Sequence, residues 1–264
     1  MTQPDTPLPS PYNLVGKKGL VMGIANDKSI AYGCAKAMHA LGAEVAITYL
    51  NEHAEPFVRP LGEALHCPLI LPCDLEKPGQ LEAVFAALEQ KWGRLDFALH
   101  AVAFAPTPDL HAWVTDCSAE GFARAMDVSC HSFIRMAKLA ETLMPEGGTL
   151  ITTSYYGGQK VIDHYNVMGP VKAALEAVVR ALAAELGRQN IRVHALSPGP
   201  ILTRAASGIE DFDKLLAKAV REAPLRRPLT IYDVGNVAAG LVSDWAQSMT
   251  GNILFVDGGY HVLG

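Results

Sequence analysis

Short apolar runs alternate along the chain with longer stretches of helical period, the pattern of β-α-β units that build a parallel sheet. Strands are predicted at 18–22, 44–49, 69–72, 97–102, 149–153, 192–196 and 252–256. Helices are predicted near 30–41, 52–65, 78–91, 118–143, 165–187, 209–222 and 232–244, several entered through Ser, Asn or Asp as capping residues. The expected fold is a single α/β Rossmann-like doubly wound domain over 14–264: a seven-stranded parallel sheet flanked by helices, behind a loose Pro-rich tail at 1–13. Right-handed crossovers put helices on both faces and leave ligands to bind beyond the carboxyl ends of the strands. Chemistry is therefore sought just after a strand. The stretch 199–223 leaves its strand through Ser197, Pro198, Gly199 and Pro200 and then runs through small residues into an amphipathic helix. That order suits a mobile substrate flap.

Composition narrows the partners. Half of the 264 residues are apolar, enough to bury a large core, and the net charge of −5 is spread without a basic stripe, so no nucleic-acid partner is expected. Cys34, Cys67, Cys73, Cys117 and Cys130 are scattered without a C-x-x-C pair, which points to reduced thiols rather than disulfides or zinc. Neither do His100, His131, His164 and His194 show metal-ligand spacing, and no metal is assigned. Residues 1–13 contain four prolines and lack the basic-then-apolar order of a signal peptide. No apolar stretch approaches the ~20 residues of a membrane span. A soluble, cytoplasmic protein without a membrane partner is expected.

The first predicted strand ends at Met22 and runs into Gly23-Ile24-Ala25-Asn26-Asp27-Lys28-Ser29-Ile30-Ala31-Tyr32-Gly33, opening a helix. Small residues here let backbone amides and a helix N-terminus approach a pyrophosphate. The run departs from G-x-G-x-x-G, since Ala25 replaces one glycine and Ser29 stands where a cap or phosphate-bonding hydroxyl would be. A β-to-α turn that binds nothing has the same local form, and the position after the first strand of a doubly wound sheet favours the dinucleotide. After the second strand comes Tyr49-Leu50-Asn51-Glu52, with no Arg or Lys from Ala37 to Val58, which favours NADH over NADPH; Lys28 is the nearby cation that softens this preference. Asp74 and Leu75 after the third strand, and Ala101-Val102-Ala103 after the fourth, are placed for adenine and ribose.

After the fifth strand come Ser154-Tyr155 and, ten residues on, Tyr165-Asn166-Val167-Met168-Gly169, followed by Lys172. Tyr165 and Lys172 are seven residues apart, close to two turns at about 3.6 residues each, so both would project from one helix face. A neighbouring ammonium favours the phenolate, and the pair can donate to an oxygen gaining negative charge. Without a cofactor loop beside it, the pair would read as a core tyrosine and a surface lysine.

This run resembles the signature of the enoyl-[acyl-carrier-protein] reductases, a divergent branch of the short-chain dehydrogenase/reductase superfamily. Most members of that superfamily place the lysine four residues after the tyrosine, where this chain has Gly169. Further similar stretches are Gly23 to Gly33, Phe104-Ala105-Pro106, Gly199-Pro200-Ile201, Ala205-Ala206-Ser207-Gly208-Ile209, Val234-Gly235-Asn236 and Val256-Asp257-Gly258-Gly259, together spanning nearly the whole chain after the tail. The resemblance implies an NADH-dependent reductase of fatty-acid elongation that transfers hydride to Cβ of a trans-2-enoyl thioester on acyl carrier protein, or on coenzyme A. It implies that Tyr165 stabilises the enolate, that Lys172 holds the nicotinamide ribose, and that Tyr155 lines the acyl site with Ala105, Leu110, Met168, Ile209 and Phe212. Gly23, Ala25, Ser29, Ile30, Leu50, Asp74, Leu75, Val102 and Thr203 fall at the family's cofactor positions, and a homotetramer is implied as well.

Three departures touch selectivity. Leu50 stands where the family often has a ribose-bonding Gln, and it cannot make that bond. Leu202 and Arg204 alter the flap. The flap helix reads Glu210-Asp211-Phe212-Asp213-Lys214, where family members usually carry basic residues that receive an acidic carrier protein, so docking is expected to be weakened or displaced toward Arg204, Lys218, Arg221, Arg226 and Arg227. Two other readings stay open. One is a carbonyl reductase using Ser154, Tyr165 and Lys172 on a ketone. The other is a dinucleotide-binding protein without turnover.

Overall fold

The computed structural model describes residues 12–204 and 206–263, so the tail expected at 1–13 falls, apart from Tyr12 and Asn13, outside the described residues, as does Ala205 of the flap. Strands β1 (Lys18–Met22), β2 (Glu44–Tyr49), β3 (Ile70–Pro72), β4 (Phe97–His100), β5 (Gly148–Thr153), β6 (Ile191–Pro198) and β7 (Ile253–Val256) form one sheet in the order β3-β2-β1-β4-β5-β6-β7, every pairing parallel. The helices are α1 (Ile30–Ala40), α2 (Glu55–Ala64), α3 (Gln80–Trp92), α4 (Thr107–His111), α5 (Ala119–Met126), α6 (Ser132–Leu143), α7 (Met168–Leu186), α8 (Phe212–Glu222) and α9 (Ile231–Val242).

Strand residues alternate faces, and here both faces are apolar because helices cover both. Leu20, Met22, Ala98, Leu150 and Val193 pack with Phe133, Met136, Leu175 and Val179 on one side. Val21, Ile47, Phe97, Leu99, Ile151 and Leu196 pack with Cys34, Met38, Val234 and Ala238 on the other. On that second side α1 and α9 touch through glycine: a Cβ on Gly33 would lie 2.3 Å from the Ile231 carbonyl oxygen, and one on Gly235 would lie 2.3 Å from the Gly33 carbonyl oxygen. The Val234-Gly235-Asn236 stretch thus has a packing reason.

The order reverses at β1, whose neighbours β2 and β4 lead away in opposite directions, and the loops after β1 and β4 open side by side there. The elements differ from expectation in three places near this edge. β4 ends at His100 instead of running to 102, because the chain peels off into a loop that Ser129 clamps: its Oγ accepts from Phe104 N–H at 2.8 Å and donates to the Phe104 carbonyl at 2.9 Å. Ser129 lies in a π turn (Asp127–His131) that breaks the helix expected over 118–143 into α5 and α6. A one-residue insertion of this kind has no signature in the 3.6-residue period, and such turns concentrate at functional sites. Finally, α7 starts at Met168, three residues after Tyr165, with His164 and Asn166 just before it at φ 61° and 39°.

Among the described residues no helix is long and apolar enough to cross a membrane, and no group of three or more His, Cys, Asp and Glu side chains is arranged to hold a metal.

Candidate active site

The turn after β1 is built around Gly23, at φ +95°, where a Cβ would sit 2.2 Å from the Ala101 carbonyl oxygen. Only glycine lets the loops after β1 and β4 come this close. Ser29 is buried, and its Oγ accepts from the Ala25 and Asn26 amides at 3.0 and 3.1 Å. It therefore closes the turn and does not cap α1; the Tyr32 and Gly33 amides donate to the Ser29 carbonyl at 3.0 and 3.2 Å, and those of Ile30 and Ala31 stand at the open end of the helix. Past β3, Asp74 is engaged locally: its N–H donates to Gln80 Oε1 at 2.7 Å and its carboxylate lies 3.8 Å from Lys77 Nζ. Leu75 is core, Val102 packs beside Gly23, and Leu50 is 54% exposed past β2. These positions lie along the carboxyl edge of β1–β4, the edge a dinucleotide spans.

Beyond β4 and β5 a cavity of about 330 Å³ opens, lined by Ile30, Ala105, Leu110, Tyr155, Tyr165, Met168, Lys172, Thr203, Ile209 and Phe212 among the residues singled out from sequence. The loop after β4 is set by Ser129. Asn166 Nδ2 donates to the Leu110 carbonyl at 2.8 Å, tying the loop before α7 to α4. From the flap, Thr203 Oγ1 accepts the Ala206 amide at 3.1 Å, and His111 of α4 meets the Gly208 carbonyl at 3.0 Å. His164 stands 3.4 Å from Glu210 and 3.9 Å from Asp211, so α4 and the loop before α7 both hold the flap.

Tyr165 and Lys172 share this cavity, though not as two residues of a single helix. Tyr165 belongs to the left-handed loop before α7, its ring edge-on against Tyr155 with centroids 4.8 Å apart, and Lys172 comes from the second turn of α7. The expected depression of the phenol by the ammonium is also corrected. Burial dominates and pushes the Tyr165 phenol up, and Tyr155 and Glu176 add to it, so the phenol keeps its proton and stands as a neutral donor. Tyr155 is pushed up by burial too. Lys172 is pushed down to about 8 by burial, opposed by Cys130 and Glu176; its Nζ donates to the Thr153 carbonyl at 2.7 Å. Behind it, His100 is buried with Nε2 2.8 Å from Ser132 Oγ and Nδ1 3.2 Å from Thr152 Oγ1, and desolvation holds it down at about 3, a neutral packing residue.

Sequence reasoning missed Thr153, Pro198 and Leu215, which also line the cavity, and Glu176, which is buried next to it. Glu176 had a faint signal: it falls four residues after Lys172, beside the apolar stripe of Val171, Leu175 and Val179. Ser154, weighed for ketone chemistry, donates its hydroxyl proton to Glu176 Oε1 at 2.7 Å.

The model of the family described as Enoyl-(Acyl carrier protein) reductase matches residues 23–261. The NADH enoyl-[acyl-carrier-protein] reductase 1 of Rhizobium meliloti is 47% identical over 249 residues, covering 94% of this chain and 92% of that protein. The corresponding protein of Nostoc is 47% identical over 255 residues, covering 96% and 99%. The crystal structure of the enoyl-(acyl-carrier-protein) reductase from Anaplasma phagocytophilum in complex with NAD superposes with a TM-score of 0.91 at 49% identity, covering 95% of this chain and 96% of that one. Fold, motif spacing and these relatives agree, and the chain belongs to the enoyl-(acyl carrier protein) reductase family.

Proposed function

We propose that this chain reduces the C2–C3 double bond of a trans-2-enoyl thioester carried on acyl carrier protein, with NADH as reductant. The observation that carries the reading is the Tyr165 phenol and the Lys172 side chain lining one largely apolar cavity, where burial pushes the phenol up. NADH, when bound, would supply a hydride to Cβ of the conjugated thioester, and a proton from solvent would complete the reduction at Cα.

The residues fit that cofactor. Gly23 lets the turn after β1 lie against the loop after β4, Ser29 closes that turn onto the Ala25 and Asn26 amides, and the N-terminus of α1 would face the pyrophosphate. The Thr153 Oγ1 is buried without a partner beside Lys172, a polar atom waiting on a ligand. Lys172 holds the nicotinamide ribose hydroxyls, and Thr203 reaches the cofactor from the flap. Leu50, Asp74, Leu75 and Val102 border the adenosine half. Arg59, the cation that follows the lysine- and arginine-free stretch, is tied to Glu55 and so is not offered to a 2′-phosphate.

Tyr165 donates its O–H to the thioester oxygen as negative charge develops there, in a dry site where such a donor counts for most. Tyr155, Ala105, Leu110, Met168, Ile209 and Phe212 receive the acyl chain and exclude water. Ketone reduction is disfavoured, because the Ser154 hydroxyl, though it lines the cavity, has its proton engaged by Glu176.

The assay follows NADH absorbance with a trans-2-enoyl thioester and, separately, with a 3-ketoacyl thioester. Oxidation is expected with the first alone, and oxidation with the ketoacyl substrate alone overturns the reading. We read residues 14–264 as one cytosolic reductase domain that assembles as a homotetramer. Support comes from the family and from large exposed apolar side chains such as Trp113 and Val161, which a self-assembling chain would cover; sedimentation at a monomer mass would refute it.

A further inference from the structure

Two charged side chains are buried on the inward face of α7: Lys172, which the reaction uses, and Glu176, one turn further on, which has no role in it so far. Charged side chains are rarely buried unless they are paired and hydrogen-bonded. Glu176 is bonded at both oxygens, and both donors come from the segment that follows β5. Ser154 Oγ donates to Oε1 at 2.7 Å and Gln159 Nε2 donates to Oε2 at 2.8 Å. Between those anchor points lie Tyr155, whose ring meets Tyr165 edge-on, and a 3-10 turn (Tyr156–Gly158). At Gly158 a Cβ would lie 3.1 Å from Lys172 Cβ, so the segment rests on α7 itself. Immediately before Ser154, the Thr153 carbonyl accepts from Lys172 Nζ at 2.7 Å. One carboxylate thus clamps the chain that orients both a ring of the acyl wall and the acceptor for the lysine.

Burial lowers Lys172, and Cys130 and, after it, Glu176 oppose that shift. From β4 it is faced by His100, held neutral by burial; from the π turn it is faced by Cys130, whose thiol burial pushes up and keeps protonated. Tyr165 and Tyr155, the other titratable groups of the cavity, are pushed up by burial and stay neutral. Glu176 joins Cys130 in opposing desolvation of the ammonium, and it does so from the i to i+4 spacing where side chains on one helix face meet.

Resting on the reductase reading above, we propose that Glu176 is a positioning residue of this site: its buried carboxylate clamps Ser154 and Gln159, fixing Tyr155 against Tyr165, and places a counter-charge one turn from Lys172 on the same buried helix face. It touches neither substrate nor cofactor and acts through its neighbours.

The experiment measures kcat, KM and NADH affinity against pH for the wild type, Glu176→Gln, Glu176→Asp and Gln159→Ala, with thermal melting of each. If the wild type does not oxidise NADH with an enoyl thioester, the reductase reading falls first; if it does, the variants test Glu176 alone. The ammonium is present below about 8 and lost above it. Removing the carboxylate removes one of the influences that raise this value, so Glu176→Gln is expected to move the alkaline limb of kcat/KM to lower pH. Glu176→Asp is expected to restore the limb. Gln159→Ala, on an exposed residue, keeps the charge and loosens one anchor; it is expected to raise KM for the enoyl thioester by ~3-fold, as loss of about one hydrogen bond would, with the limb in place. A Glu176→Gln protein with the wild-type limb, whatever its melting temperature, overturns the counter-charge role. An unchanged KM in Gln159→Ala overturns the clamp, and decides it even where Glu176→Gln fails to fold.

Discussion

Helices α7 and α8 both line the cavity, yet they are anchored to the protein in opposite ways. α7 has 19 residues and buries Met168, Val171, Lys172, Leu175, Glu176, Val179, Leu182, Ala183 and Leu186. α8 has 11 residues and buries Phe212 and Ala219, with Asp211 at its N-cap in the left-handed region, φ 55°. At about 1.5–3 kcal/mol for each large apolar side chain buried, α7 is fixed by the global core, whereas α8 rests on a few contacts and on the histidines at its approach. Lys172 is positioned by the rigid helix and Tyr165 by the short loop that leads into it, whereas the Phe212 and Leu215 side of the cavity hangs on the loose one.

The largest effect that tests this division is expected from Tyr165→Phe. It preserves the ring contact with Tyr155 and removes only the donor. The expected loss in kcat is ~10²–10⁴-fold, the range of a positioned acid–base group, with NADH affinity within ~2-fold of wild type in equilibrium fluorescence titrations. A kcat reduced by less than ~10-fold would remove Tyr165 as the donor and with it the claim that the chemistry is held from α7's side.

Stability separates the two helices next. Leu175 is fully buried on α7, so Leu175→Ala is expected to lower global stability by ~2–5 kcal/mol in urea unfolding. Phe212→Ala deletes a larger side chain from α8, but α8, with Phe212 and Ala219 as its buried residues, is expected to open without the rest of the protein. It is expected to cost less than Leu175→Ala in the same unfolding experiment while raising KM for the enoyl thioester. Equal losses would show α8 to be as integral as α7.

The same contrast decides what was legible beforehand. The sheet and its helices follow from apolar periodicity, and α7 was readable because a long buried stripe is strongly periodic. Tyr165 and Lys172 were named from their spacing, yet the spacing argument placed Tyr165 on the helix. His164 and Asn166, in left-handed conformations, hold it in a loop that reaches the same cavity from another direction. The irregular parts left little trace: α4 is five residues, too short for a period, and the π turn that positions Ser129 adds one residue to an otherwise ordinary helical pattern. Glu176 stayed hidden because its partners, Ser154 and Gln159, are far from it in sequence; a buried carboxylate is recognisable only once the donors around it are seen.

A pH titration of cofactor binding sharpens the rigid side. Lys172 carries its charge below about 8 and is neutral above, so NADH affinity is expected to be maximal below that value and to fall as pH rises through it. In Lys172→Met the affinity is expected to be lower throughout and flat across the same range. A wild-type profile that stays level from pH 7 to 10 would separate cofactor binding from the lysine's charge.

The smallest effect is expected on the loose side, from charge. Glu210, Asp211 and Asp213 stand at the start of α8, and much of the nearby positive charge is already engaged: Lys214 with Asp211 at 2.9 Å, Arg221 with Glu222 at 2.9 Å and Arg227 with Asp233 at 2.8 Å. An acidic carrier approaching this face meets acids first and cations that must leave a partner to receive it. Exposed pairs of this kind are worth only ~0.2–1 kcal/mol each, so the effect on kcat/KM is expected to be ~2–5-fold. Enoyl thioesters on carrier protein and on coenzyme A are therefore expected to differ little at low salt, and Glu210→Gln with Asp213→Asn is expected to raise the carrier-bound rate there by ~2-fold, an advantage that ~0.3 M salt screens away. A strong carrier preference that collapses on adding salt in the unmodified protein would place a basic docking surface where these residues argue against one.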